Sequence, residues 1–227
     1  MTEKTKAYTF SDLTKSNFSE VAAVQMLEDT PESIWHHVEQ TPLDETEQVV
    51  MRYLLGKMQD GRVSVMNEAT LWSRVNYPVL TLAETERIKA WSEISMEASL
   101  PHVTLKGDVD GVLGWTTSGL LELPYFVIVE AKRGIESKDP RYQLYGQLLA
   151  TSSLNQNQLG QSEEADMTPP LYGCYIVAET WTFAKAQVAN IASHYPTLHL
   201  MLSREYSIRF EMELIAKILK QITRLYA

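Results

Sequence analysis

Two short stretches of the chain carry side chains whose types and spacing could do chemistry. In Glu130-Ala-Lys132 an acid and a lysine stand two residues apart at the end of an apolar run that starts at Pro124. On a strand that spacing sends both side chains out of the same face, about 6–7 Å apart. In Gly107-Asp-Val-Asp-Gly111 the same alternation places Asp108 and Asp110 on one face of an earlier strand. Sequential strands usually pair, and if these two do, Asp110 lies beside Glu130 across the ladder. Carboxylates brought together at a sheet edge repel and raise each other's pKa unless a cation sits between them. Magnesium suits such a place: it takes oxygen ligands, keeps several waters, polarises a phosphate oxygen and lowers the pKa of a bound water that attacks phosphorus. Manganese is expected to substitute for it. Lys132 would then orient that water, or stabilise the charge that builds on the phosphate as a preorganised cation does in a desolvated site.

Acid-x-lysine occurs twice, and context separates the two. Glu136-Ser-Lys138 follows Gly134 in a polar stretch before Pro140, where no strand face pairs the side chains. Glu130-Ala-Lys132 instead closes a β-branched run that reads as a strand buried on both faces with a charged end. Residues 102–113 alternate, with Val103, Leu105, Gly107, Val109 and Gly111 on one parity and Lys106, Asp108, Asp110 and Val112 on the other. Residues 141–154 read as a helix started at Asp139-Pro140 and striped by Tyr142, Tyr145, Leu148 and Leu149. Strands over 171–178, 180–186 and 199–210 and an amphipathic helix over 211–226 complete the second half. In the first half the firmest helix spans 43–59, where Val49, Val50, Tyr53, Leu54 and Met58 repeat at three and four behind an acidic opening. A helix is expected over 84–91, while 92–100 reads equally as continued helix or as strand. Residues 1–42, with short helices expected over 19–28 and 31–39, look like an extension that carries no chemistry.

An acid on one strand, acid-x-lysine on the next and a glutamine on the following helix form a pattern that resembles the PD-(D/E)xK, or restriction-endonuclease-like, nuclease superfamily over roughly residues 90–185. Asp110 in Val-Asp-Gly-Val-Leu matches the first acid, Glu130-Ala-Lys132 the signature, and Gln143 or Gln147 in Tyr-Gln-Leu-Tyr-Gly-Gln the helix glutamine. Val177-Ala-Glu-Thr-Trp-Thr-Phe183 looks like the strand pair that follows the helix in several such families. The chain departs from the pattern in having Val109, not proline, before Asp110. The first helix often supplies a further glutamate in this superfamily. Glu47, Glu84, Glu93 and Glu97 compete for that part, and Glu97 is preferred for lying close upstream of Asp110. The resemblance implies an α/β fold with a mixed central sheet flanked by helices over residues 43–227, an N-terminal helical extension over 1–42, and a site where the Asp110 and Glu130 strands diverge. It also implies a magnesium-dependent nuclease acting on DNA, with Asp110, Glu130, Lys132, Gln147 and Gln143 as the catalytic set and Asp110, Glu130 and Glu97 on the metal.

The charge balance qualifies that implication. Net charge is −9, the wrong sign for coating nucleic acid by bulk electrostatics, so DNA would be met by a local rim of Lys106, Lys132, Arg133, Lys138 and Arg141. A second reading is a non-catalytic protein of the same fold used for partner binding or assembly, and a third is a metal-dependent enzyme acting on something other than nucleic acid. A homodimer would let the chain read a long site. The 44% apolar fraction is that of an ordinary globular protein with a real core. The single Cys174, in an apolar run, excludes an intramolecular disulfide framework and a cysteine zinc site, and reads as a buried small hydrophobe. His36 and His37 point about 100° apart on a helix with no third ligand nearby, so they are not read as a metal site. The opening Met-Thr-Glu-Lys-Thr-Lys lacks the apolar segment of a signal peptide, and no stretch is long enough to span a bilayer, so the cytoplasm is the expected compartment, with no membrane partner. No phosphate-binding glycine loop, nucleophile elbow or dinucleotide fingerprint is present in the sequence.

Overall fold

The computed structural model describes residues 6–60, 65–134, 139–158 and 167–227, in which a mixed eight-stranded sheet carries helices on both faces. In chain order the elements are β1 (Lys6–Thr9), α1 (Lys15–Phe18), β2 (Ala23–Leu27), α2 (Glu45–Asp60), α3 (Glu68–Leu71), α4 (Tyr77–Thr81), β3 (Ile88–Ser99), β4 (Val103–Thr117), β5 (Leu120–Lys132), α5 (Pro140–Gln158), β6 (Leu171–Val177), β7 (Thr180–Ala189), β8 (Thr197–Ser207) and α6 (Ile208–Arg224). A π turn, Trp72–Asn76, joins α3 to α4. Glu136 and Lys138 lie outside the described residues.

β3, β4 and β5 form an antiparallel meander. The β4–β5 hairpin turns through Ser118 and Gly119, whose φ values of 53° and 80° match the twist that a two-residue connection requires. After β5 the chain crosses over through α5 and returns as β6, parallel to β5. β6, β7 and β8 then alternate in direction, and β2 lies parallel to β8 at the far edge. Because β5 is central, both of its faces are buried: Val127, Val129 and Ala131 join the core that also holds side chains of α2, α4 and α6, while Ile128 joins the core that holds Leu144 and Leu148 of α5. That is why the run before Glu130 is continuously apolar.

The second half of the sequence reading agrees closely with the observed elements, as does α2, which opens with a capping box: Asp44 Oδ1 accepts the Glu47 N–H at 2.8 Å and Glu47 Oε2 accepts the Asp44 N–H at 2.7 Å. Two expectations fail. The helix expected over 84–91 is instead a turn leading into the twelve-residue β3, which pairs with β4 from Ile88↔Trp115 to Ser99↔Thr104 and skips Glu93. A ladder of that length outweighs a local helical spacing. The N-terminal helices fail as well: 19–28 contains β2 and 31–39 contains a 3-10 turn at Ile34–His36. Nor is this segment an appendage. β1 and β2 are strands of the sheet, and Phe10, Leu13, Phe18 and Val21 are buried in the α5-side core. Gly146 of α5 is a glycine because Leu13 presses on it: a Cβ there would stand 2.2 Å from Leu13 Cδ1.

Cys174 is buried and burial pushes its thiol well above the usual range, as a small hydrophobe requires. Among the described residues no helix is long and apolar enough to cross a membrane. Phe18 tests the role of the N-terminal segment, since its ring centroid lies 6.0 Å from those of both Tyr142 and Tyr145 on α5. Phe18→Ala is expected to lower the unfolding free energy by about 3–5 kcal/mol in urea titrations; a change within experimental error would mean that the segment only drapes the surface.

Candidate active site

β4 and β5 stay paired from Thr117↔Leu120 to Gly111↔Val129, where the ladder ends. Below that point the same edge of β4 takes β1, and β5 keeps only β6. Asp110 and Glu130 are the next residues in register, one on each lip of the split. Asp110 Oδ2 accepts the Ala131 N–H at 2.7 Å, which fixes its carboxylate against the end of β5. Glu130 has no solvent exposure. Its Oε2 accepts a hydrogen bond from Gln147 Nε2 at 2.7 Å, and Lys132 Nζ lies 2.5 Å from Oε1 as a charge contact. Oε1 otherwise has no hydrogen-bond partner among the described residues, and neither does Oε1 of the fully buried Gln147.

A cavity of about 480 Å³ opens beside Asp110, lined also by Glu68, Trp72, Ser92, Glu93 and Ala131. Glu68, from α3, reaches the cluster through Oε1, 3.7 Å from Lys132 Nζ, and through Oε2, which accepts the Arg133 N–H at 3.2 Å. Glu93 falls between the pairs Ser92↔Gly111 and Ile94↔Val109, where the β3–β4 ladder skips it, and its φ of 54° lies outside the extended range of a strand. Trp72 buttresses the same point. Its Nε1 donates to Ser92 Oγ at 2.7 Å, and that hydroxyl donates to the Asp110 carbonyl at 3.2 Å. Its ring also covers Gly111 so closely that a Cβ would fall 2.6 Å from Cη2.

Burial, then the charge of Asp110, raises Glu130 to about 7, against the pull of Lys132 and Gln147. Burial raises Asp110 too, opposed by the Ala131 N–H and Lys132 and reinforced by Glu68 and Glu93. Burial works against the Lys132 ammonium, yet the charges of Glu130, Asp110 and Glu68 outweigh it and hold its pKa above the usual value. The result is a cation locked among acids that would sooner be neutral.

Of the residues singled out in the sequence, Asp110, Glu130, Lys132 and Gln147 come together. Gln143, one turn earlier on α5, is half-buried and hydrogen-bonds to neither carboxylate. Asp108 is exposed and opposite Ser95. Glu97 is not brought to the cluster: it is exposed and opposite Lys106, four residues and about 13 Å along β3 from the position facing Asp110. The ladder shows why, since closeness in sequence along a strand is distance in space. Glu47 pairs with Lys220 and Glu84 with Lys89, and neither acid lines the cavity beside Asp110. Glu68 was outside the candidate acids. Its signal is the Asn67 cap, whose Oδ1 accepts the Thr70 N–H at 2.8 Å and marks a helix start with an acid in its first turn.

Among the described residues no three Asp, Glu, His or Cys side chains are gathered at metal-ligand spacing. Magnesium does not demand three, because it commonly binds through one or two carboxylates and keeps its remaining ligands as water. The donor set is all oxygen and the two carboxylates resist ionising side by side, so Asp110 and Glu130 fit such a cation, with Lys132 against Glu130 Oε1 in its absence. No known protein family matches the sequence, and no curated protein does either.

The raised Glu130 sets the sign of a pH dependence. The unfolded chain loses this proton near its ordinary 4.5 and the folded chain near 7, so between those values the native state holds more protons and metal-free stability falls as pH rises. Glu130→Gln is expected to flatten that decline, on the order of 1–3 kcal/mol, when urea midpoints are compared at pH 5 and pH 8. Gly111→Ala is expected to cost about 1–3 kcal/mol by forcing Trp72 off the strand; an unchanged thermal midpoint would show that the ring has room to give way.

Proposed function

We propose that this chain is a magnesium-dependent phosphodiesterase of the PD-(D/E)xK kind, with DNA as its substrate. The observation that carries the reading is the split between β4 and β5, where Asp110, Glu130 and Lys132 converge and Gln147 of the crossover helix donates to Glu130. An antiparallel meander followed by a crossover helix and a parallel strand also suits a restriction-endonuclease-like sheet.

In this reading Asp110 and Glu130 hold the cation, with Glu68 and Glu93 near enough to tune the charge around it. When bound, magnesium supplies Lewis-acid polarisation of a phosphate oxygen and a more acidic water. The protein's own part is positional and electrostatic. The Ala131 N–H holds one oxygen of Asp110 and fixes the direction of the other, while Gln147 Nε2 and Lys132 Nζ each hold one oxygen of Glu130. Lys132 is kept cationic by its neighbours and can orient a water or stabilise charge gathering on phosphorus.

Nearby charges would have to admit DNA to an acidic protein. Lys106 and Arg133 are exposed, whereas Arg141 is engaged by Asp139 at 2.6 Å. This thin rim, with the net charge of −9, favours the second reading, a non-catalytic partner-binding module on the same scaffold. Calorimetry with magnesium and manganese, paired with plasmid nicking, separates them. Wild type is expected to bind and nick, Asp110→Ala to lose both, and Lys132→Ala to keep binding while nicking falls by about 100-fold or more. A wild-type protein that neither binds nor nicks overturns the enzyme reading, and binding without nicking points to a metal-dependent reaction on another substrate.

A further inference from the structure

At one limit of the sheet β3 pairs with β4 alone, and at the other β2 pairs with β8 alone. The two outer edges are built differently. β3 carries Lys89, Glu93 and Glu97, and the φ of 54° at Glu93 breaks its extended line. Where Ala90 turns its backbone outward, side chains of the same chain close it: its N–H donates to Glu84 Oε1 at 3.1 Å and its carbonyl accepts from the Tyr77 hydroxyl at 2.9 Å. Charges, irregularities and covers of this kind keep sheets from joining edge to edge.

β2 has none of these devices. Its sequence, Ala23-Val-Gln-Met-Leu27, is uncharged, and its last four residues are exposed. The Ala23 N–H donates to the Pro196 carbonyl at 3.0 Å, so in this parallel ladder Ala23, Gln25 and Leu27 turn their backbone groups to β8, and Val24 and Met26 turn theirs outward. Among the described residues no strand pairs with that outer side. Val24 and Met26 are in register with Leu198 and Leu200, which are fully buried in the α5-side core, yet they are themselves 37% and 52% exposed. The apolar face of the sheet thus runs one strand past its cover.

Open backbone groups on an extended edge are met by another strand, and this edge is complementary to itself. A two-fold axis at Gln25 would set Val24 against Met26 of a second copy and Met26 against its Val24. These are the residues whose backbone groups point outward, so each such pair can exchange both N–H···O bonds, while Gln25 faces its counterpart in a pair without them. Val24 and Met26 of both copies would then share one face and continue the one that Leu198 and Leu200 begin. Charge also favours this edge. Copies with a net charge of −9 can approach closely only where free acids do not face one another. Of the acids that flank β2, Glu20 pairs with Lys6, Asp29 accepts from Trp35 Nε1 at 2.9 Å, and Glu28 falls opposite Ala22 of the second copy.

We propose that β2 is a homodimer interface: two copies pair antiparallel along this edge, about a two-fold axis at Gln25, and join two eight-stranded sheets into one. The pairing does not depend on the chemistry of the carboxylate cluster.

Sedimentation of the full chain at micromolar concentration tests it, with circular dichroism melts showing that each variant is folded. Wild type is expected to sediment as a dimer. Val24→Pro removes an outward N–H and leaves the β8 ladder intact, and Met26→Lys places a charge on the edge; each is expected to raise the dimer dissociation constant about ten-fold or more. Cross-linking reads the register. Facing residues in an antiparallel pair without hydrogen bonds stand about 4.5 Å apart at Cα, within disulfide reach. Gln25→Cys is therefore expected to link the copies under oxidised glutathione, whereas Glu28→Cys, roughly 20 Å from its counterpart, is not. The native Cys174 is buried and takes no part. The proposal falls if wild type sediments as a monomer, if both folded variants dimerise as tightly as wild type, or if Gln25→Cys cross-links no better than Glu28→Cys.

Discussion

A carboxylate with no access to water sits at the centre of this structure, and much of the surrounding architecture follows from what Glu130 needs. Burying a charged acid without partners costs far more than a domain's net stability allows, so such a group is neutralised, paired or hydrogen-bonded. Glu130 has all three answers in part: its pKa is raised to about 7, Lys132 sits against one oxygen, and Gln147 donates to the other. Each answer imposes a condition on the chain. Lys132 must be two residues on, so that the strand returns it to the same face, and α5 must cross that face with Gln147 turned inward.

The N-terminal segment completes the enclosure. α5 is buried from Leu144 to Ser152, which a helix covered only by a sheet on one side would not be. Phe10, Leu13 and Phe18 cover its outer side, and Gly146 gives Leu13 the room to do so. Excluding water there strengthens the electrostatic hold on Glu130 as well as the packing, because charges and hydrogen bonds act more strongly where the local dielectric is low. Sheet, crossover helix and N-terminal cover are thus coupled through one side chain.

The two ends of β5 differ in kind. At its C-terminal end the strand leaves β4, backbone groups lose their ladder partners, and carboxylates take them up, as Asp110 does with the Ala131 N–H. At its N-terminal end a register shift near Gly114 makes room for aromatic side chains and an uncharged cavity. The first end gathers charged side chains, and the described residues lining the second carry no charge.

The sequence by itself determined the central elements and two of the site's side chains. Strand periodicity set β4 and β5, a buried apolar run set β5 in the middle of the sheet, and the two-residue spacing of Glu130 and Lys132 set them on one face, because these depend on local geometry that repeats along the chain. Gln147 was half legible: helical spacing gave the face but left Gln143 and Gln147 as alternatives until α5 was docked. Strand parity could not separate Asp110 from Asp108, which only the resemblance favoured, and the fold separates them because one lies at the split while the other is exposed opposite Ser95. Glu68 in place of Glu97, and an N-terminal segment built into sheet and core, were settled by tertiary contacts between residues far apart in sequence. No local period encodes which helix start meets which strand end, and a short segment such as β2 takes its conformation from the edge of β8 that accepts it.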